Sequence, residues 1–241
     1  MQINLELEAV HSMSELHIKS THWSWRKNIS LRLVALLGVV NPLLCVLVFT
    51  LAGFLRPGYS PVHSAISALG TGPDGWILNA DLIISGLLFV AFAIGFYWWM
   101  RPIINHRWLL ASTILLVFSA TGVVNEGIFH QPAHGEPAAH LHMVLHGIGL
   151  AVLFYSLILA LLILGWHFRK IADWRIYGWY LLLTAFVTLG LLIIPTQIVG
   201  SGHIWGFIER VQVMIAFSWS IVIGWRLFTY SVPISPVHEK E

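Results

Sequence analysis

The sequence predicts an all-α protein, a polytopic membrane helix bundle of about six transmembrane helices with both termini cytosolic. Three observations carry this expectation. Hydrophobic residues fill 57% of the 241 positions and charged residues only 10%, and the mean hydropathy of +0.78 lies far outside the range of soluble domains. Six stretches reach the roughly 20 predominantly apolar residues that a helix needs to cross the hydrocarbon layer. Finally, Lys19, Arg26, Lys27, Arg32, Arg101, Arg107, Arg169, Lys170, Arg175, Arg226 and Lys240 all fall on one side of a six-span arrangement, against Arg56 on the other. By the positive-inside rule the crowded side is the cytosol.

The elements follow in order. Residues 1–30, with Glu6, Glu8 and Glu15 and no apolar run of signal-peptide length, read as a polar cytosolic tail. Helix one spans Leu31 to Leu55, with a kink expected at Asn41-Pro42 because proline removes a backbone donor and crowds the preceding turn. It carries Cys45, the only cysteine, which excludes an intramolecular disulfide and reads as an apolar filler. The first outer connection, RPGYSPVHSAISALGTGPDG from Arg56 to Gly75, mixes turn residues with a small apolar patch at Ala65, Ile66 and Leu69. Its Pro73-Asp74-Gly75 triplet is a turn signal into helix two, Trp76 to Met100. Helix three spans Trp108 to Phe129. The stretch HQPAHGEPAAHLHMVLH, residues 130–146, then holds five of the thirteen histidines and opens helix four, Ala139 to Trp166. Helix five, Tyr177 to Val199, contains Pro195 and a second expected kink; helix six spans Ile204 to Phe228. Residues 31–230 form one transmembrane domain, and 231–241 a cytosolic tail. Tryptophans 23, 25, 98, 99, 108, 166, 174, 179 and 225 cluster at the inner boundaries, with Trp76 and Trp205 at outer ones, as an aromatic belt requires.

An ionisable side chain at the centre of a membrane helix costs about 2.5 to 3.5 kcal/mol on insertion scales, so each is a functional hypothesis. Here they gather in the outer half: Asp81 on helix two, Asn125 and Glu126 at the outer end of helix three, His140, His142 and His146 opening helix four, and His203, Glu209 and Arg210 opening helix six. The first outer connection, with His63, Ser64 and Ser67, roofs this cluster. His142 and His146 stand four apart and share a helix face, so both can reach one ion or one substrate, whereas His140 points elsewhere. Glu209 and Arg210 are about 100° apart and need partners on other helices, Asp81 or Glu126 being expected for Arg210. The bland readings are a structural ion pair for Asp81 and Arg210, a hydrogen-bonded pair for the two histidines, solvated loop positions for His130 and His134, and turn or capping roles for Ser64 and Ser67.

The segment RPGYSPVHSAISALGTGPDGWILNADLIISGLLF, with its Ile-Ser-x-Leu-Gly core and following asparagine, resembles the hallmark region of the domain-of-unknown-function 998 family of multi-pass membrane proteins. A histidine opening helix four and the Gly-x-x-Glu-Arg of Gly206 to Arg210 add to the resemblance, which covers about residues 31 to 230. It implies importance for Ser67, Leu69, Gly70, Asn79, His142 or a nearby histidine, Glu209 and Arg210. Members often carry an aspartate after a Gly-x-Phe at the end of helix three, where this chain has His130 and Gln131.

Three functional classes are compatible with the sequence. The first is an outward-facing polar pocket that binds or moves a small polar or lipid head-group ligand through His63, Ser67, Asn79, Asp81, Asn125, Glu126, Glu209 and Arg210. The second is an intramembrane hydrolase acting on a lipid-linked substrate, with zinc on His142 and His146. The third is a structural partner without chemistry. The expected surroundings are the bilayer of the cell membrane and a lipid or small-molecule ligand, with no nucleic acid.

Overall fold

A computed structural model describes residues 32–131, 139–198 and 204–229. Six helices are long and apolar enough to cross a membrane: α1 Arg32–Leu55, α2 Gly75–Met100, α3 His106–Ile128, α4 Ala139–Phe168, α5 Arg175–Ile198 and α6 Trp205–Thr229. Their ends fall within two residues of those expected from hydropathy, the ordinary uncertainty of a helix boundary. Short 3-10 turns at Ser67–Gly70 and Ala172–Trp174 interrupt the connections, and no strand occurs among the described residues. The protein is a multi-pass membrane protein. Both expected tails lie outside the described residues, as do His134, Glu136 and His203. Helix α1 runs through Asn41-Pro42 without interruption.

Consecutive helices pack as neighbours from α2 to α6. The ring closes because α6 and α1 touch: a Cβ on Gly224 would stand 2.6 Å from the Ala35 carbonyl. Helix α1 meets α2 where the buried Asn41 Nδ2 donates to the Ser85 carbonyl at 2.9 Å. The bundle has a basic end, where Arg101, Arg107, Arg169, Lys170, Arg175 and Arg226 sit, and a loop end covered by the 56–74 segment.

Aromatic rings fill the lower middle of the ring. Trp219 of α6 stands 5.8 Å from Phe92 and 6.3 Å from Phe96 of α2, the latter edge-on, and Phe168 closes on Phe96 and Trp174. Such edge-to-face contacts favour a fixed geometry beyond the area they bury. Trp99 and Trp174 are therefore core residues rather than members of the membrane-boundary belt. Trp98, Trp108, Trp166, Trp179 and Trp225 do face outward at the basic end, where Arg169 lies 3.4 Å over the Trp166 ring.

Candidate functional site

The loop end is built around the first two turns of α6. Gly206 lets the 59–66 segment lie directly on the helix, since a Cβ there would stand 2.2 Å from the Ser64 carbonyl and 2.8 Å from that of Pro61. Phe207 N donates to Val62 O at 3.1 Å. Arg210 Nη1 donates to the carbonyls of Pro61 at 2.8 Å, Ser64 at 3.1 Å and Gly206 at 2.8 Å, while Nη2 donates to the Tyr59 hydroxyl. The rings of Phe49 and Tyr59 flank the guanidinium. Beside it, Glu209 Oε2 accepts the Ile66 N–H at 2.7 Å. Two adjacent residues of opposite charge thus grip one backbone segment.

This corrects the partner expected for Arg210. Asp81 meets the Cys45 thiol between α1 and α2, and Glu126 meets His146. The reason is that a turn-rich segment leaves carbonyls without partners, and a guanidinium carries five donors in a rigid fork that can serve several of them. Tyr59 lies outside the spans; burial pushes its phenol above the ordinary value, against the opposing pull of Arg210.

The rest of the loop end is held by hydrogen bonds to neutral acceptors. Arg56 donates to Ala68 O and Thr71 Oγ1, Asn79 Nδ2 donates to Gly70 O at 3.0 Å, and Ser67 Oγ donates to Gln131 Oε1 at 2.9 Å. The apolar patch of the segment is confirmed in part: Ile66 and Leu69 are buried with Phe49 and Leu78.

Between α3 and α4, Glu126 Oε2 stands 2.8 Å from His146 Nδ1, which also lies 3.0 Å from Phe129 O. Both neighbours are acceptors, so Nδ1 carries the proton. Gly149 makes room for the arrangement: a Cβ there would sit 2.2 Å from Asn125 Oδ1 and 2.4 Å from Glu126 Oε1.

Inside the ring lies a cavity of about 590 Å³, within the range of small-molecule sites. It runs from Ser67 and Glu209 at the loop end to Leu37 and Ile221, well into the half of α1 and α6 nearer the basic end. The twelve residues from Glu209 to Ile221 correspond to about 18 Å of helix. Most of its wall is apolar, including Val46, Phe49, Leu82, Phe89, Phe154 and Phe217. Both carboxylates, Glu126 and Glu209, lie towards the loop end with Ser67 and Gln212, whereas Asn41, Cys45, Ser85, Tyr155 and Ser220 line mid-depth.

A family model described as "Protein of unknown function (DUF998)" matches residues 39–226. The chain belongs to the DUF998 family. No curated protein and no solved structure matches it.

In this DUF998 protein the positions that the resemblance singled out divide between two roles. Leu69, Gly70, Asn79 and Arg210 shape and hold the loop segment, whereas Ser67 and Glu209 hold it and also line the cavity. Glu126 lines the cavity and His146 supports it from behind. Asp81 and Asn125 sit behind the wall, and His63 is exposed on the segment. His142 does not join His146 on a common target: its ring packs edge-on against Phe129 and His130. Among the described residues no three His, Cys, Asp or Glu side chains come together as a zinc site would need.

Sequence reasoning missed Gln212, Tyr59, Gly147 and Gly149. Gln212 was accessible to it, since it follows Glu209 by three residues and so shares its helix face. The glycines were not, because nothing local marks that Gly149 meets a neighbour's carboxylate or that Gly147 faces open space.

Proposed function

We propose that this DUF998 protein binds, and in binding can carry, a single-chain amphiphile of the bilayer, with the apolar chain in the cavity and the polar head at the loop end. The observation that supports this reading is the cavity itself: a long, mostly apolar chamber inside a membrane bundle, with its two carboxylates at one end. A small polar solute would leave the apolar wall wet, and a purely apolar one would leave Glu126 Oε1 without a partner. We place the protein in the cell membrane with the basic end and both termini towards the cytosol, on the strength of the one-sided distribution of Arg and Lys.

The test uses the full chain in nanodiscs and a dansyl-labelled alkyl chain, whose binding is read by energy transfer from tryptophan, Trp205 being in the cavity wall. Gly147 also lines the cavity, and a Cβ there meets nothing within 4 Å, so Gly147→Trp fills the space without a backbone clash. It is expected to abolish saturable transfer. Leu159→Trp, on an outward face away from the cavity, is the control and is expected to leave binding intact. Equal binding by both variants would sink the reading.

A further inference from the structure

We infer that the head group held at the loop end of the cavity is an ammonium, making the ligand a long-chain amine rather than a fatty acid or an alkyl phosphate. This inference rests on the amphiphile reading and adds the chemical class of the head.

The argument starts from which polar atoms are left without a partner. Glu126 is 7% exposed and Gln212 6% exposed; both line the cavity, and Glu126 Oε1 and Gln212 Nε2 have no hydrogen-bond partner among the described residues. A buried carboxylate oxygen and a buried amide nitrogen left bare each cost the full loss of hydration, which a ligand group can restore. Glu209 supplies a second carboxylate in the same wall, with Oε2 already committed to the Ile66 N–H. Glu126 and Glu209 therefore put two carboxylates into the wall at the loop end, and Gln212 a side-chain amide.

The cations of the loop end are committed elsewhere. Arg210 places its guanidinium on the carbonyls of Pro61, Ser64 and Gly206 and on Tyr59, and Arg56 on Ala68 and Thr71; neither side chain is part of the cavity wall. His146 turns its proton-bearing Nδ1 to Glu126 and Phe129 and is also outside the wall. An anionic head would thus meet two carboxylates and no cation in the described wall. An ammonium, with three donors and a positive charge, satisfies Glu126 Oε1 and Glu209 together through charge-assisted hydrogen bonds. An acceptor next to it on the ligand, such as a hydroxyl, meets Gln212 Nε2.

Displacement of the dansyl-labelled chain from the protein in phosphatidylcholine nanodiscs tests the assignment, with dodecylamine, dodecanol and dodecanoate as competitors and empty nanodiscs subtracted. The amine is expected to displace the probe at about tenfold lower concentration than the alcohol or the carboxylate. Glu209→Gln, which keeps an oxygen for the Ile66 N–H, is expected to raise the amine concentration needed towards that of the alcohol, with the alcohol itself unchanged. Dodecanoate competing as well as the amine, or all three competing equally, would overturn the head-group assignment while leaving the amphiphile reading in place. Failure of the labelled chain to bind at all would overturn both. The competitor series on the unmodified protein decides the question even if the substituted protein does not fold.

Discussion

Arg210 illustrates how a charged residue in a membrane helix can serve the backbone of the same chain. Its donors reach three carbonyls and a phenol oxygen, and lysine, a point charge without the planar fork, cannot reproduce that set. Arg210→Lys is expected to lower stability by about 2 to 4 kcal/mol, read from thermal unfolding in detergent. Tyr59 belongs to the same clamp, its hydroxyl lying 2.8 Å from Ala65 O and 3.2 Å from Ser64 O. Because burial raises its pKa, the folded state holds the phenol proton longer than the unfolded chain does. Its stabilising contribution is therefore complete below the unfolded value of about 10 and is lost as pH rises through the folded one. Tyr59→Phe is expected to be less stable at neutral pH by about 1 to 2 kcal/mol. It should also lose less stability than the unmodified protein between about pH 9 and pH 11. Parallel pH profiles for the two proteins would show that Tyr59 makes no such contribution.

At the scale of elements, small residues decide how closely helices approach, as expected where lipid offers no hydrophobic penalty for separation. Gly122 of α3 faces α4 so tightly that a Cβ would stand 2.6 Å from Leu153 N and 2.8 Å from Gly149 O. Backbone cannot move aside as a flexible side chain can, so Gly122→Ala is expected to cost roughly 1 to 3 kcal/mol of bundle stability, measured by the same unfolding assay. The existence and ends of the helices were legible in the sequence because length and apolar content suffice to mark a span. Their rotation about their own axes was not. Trp99 and Trp174 looked like boundary residues by position, yet each is turned into the core. Helices apolar on every side carry no stripe to say which face is inward.

For the whole molecule, the closed ring of six helices leaves aromatic packing in its lower middle and a chamber towards the loop end. The orientation of that ring is open to direct measurement. In a Cys45→Ala background, a membrane-impermeant thiol reagent added to intact cells is expected to label Asp74→Cys at the loop end and to spare Pro102→Cys at the basic end. The reverse pattern would turn the protein over and place the cavity's polar end at the cytosol.

The sequence by itself determined that this is a six-span membrane protein of the DUF998 kind, and that the ionisable residues within its spans collect towards the end opposite the basic one. Those are properties of composition and of position along a helix, and both can be read in one dimension. Only the tertiary structure decided who meets whom: Arg210 with the loop carbonyls instead of Asp81, Glu126 with His146, and His142 with the rings of Phe129 and His130. The cavity is likewise a tertiary property. It arises where α1, α2, α4 and α6 stay apart towards the loop end while glycine contacts such as Gly224 on Ala35 draw the ring together at the other. Spacing along one helix fixes which side chains share its face, but the partner across the gap depends on the phase and tilt of a neighbour. In an apolar solvent no local pattern records either.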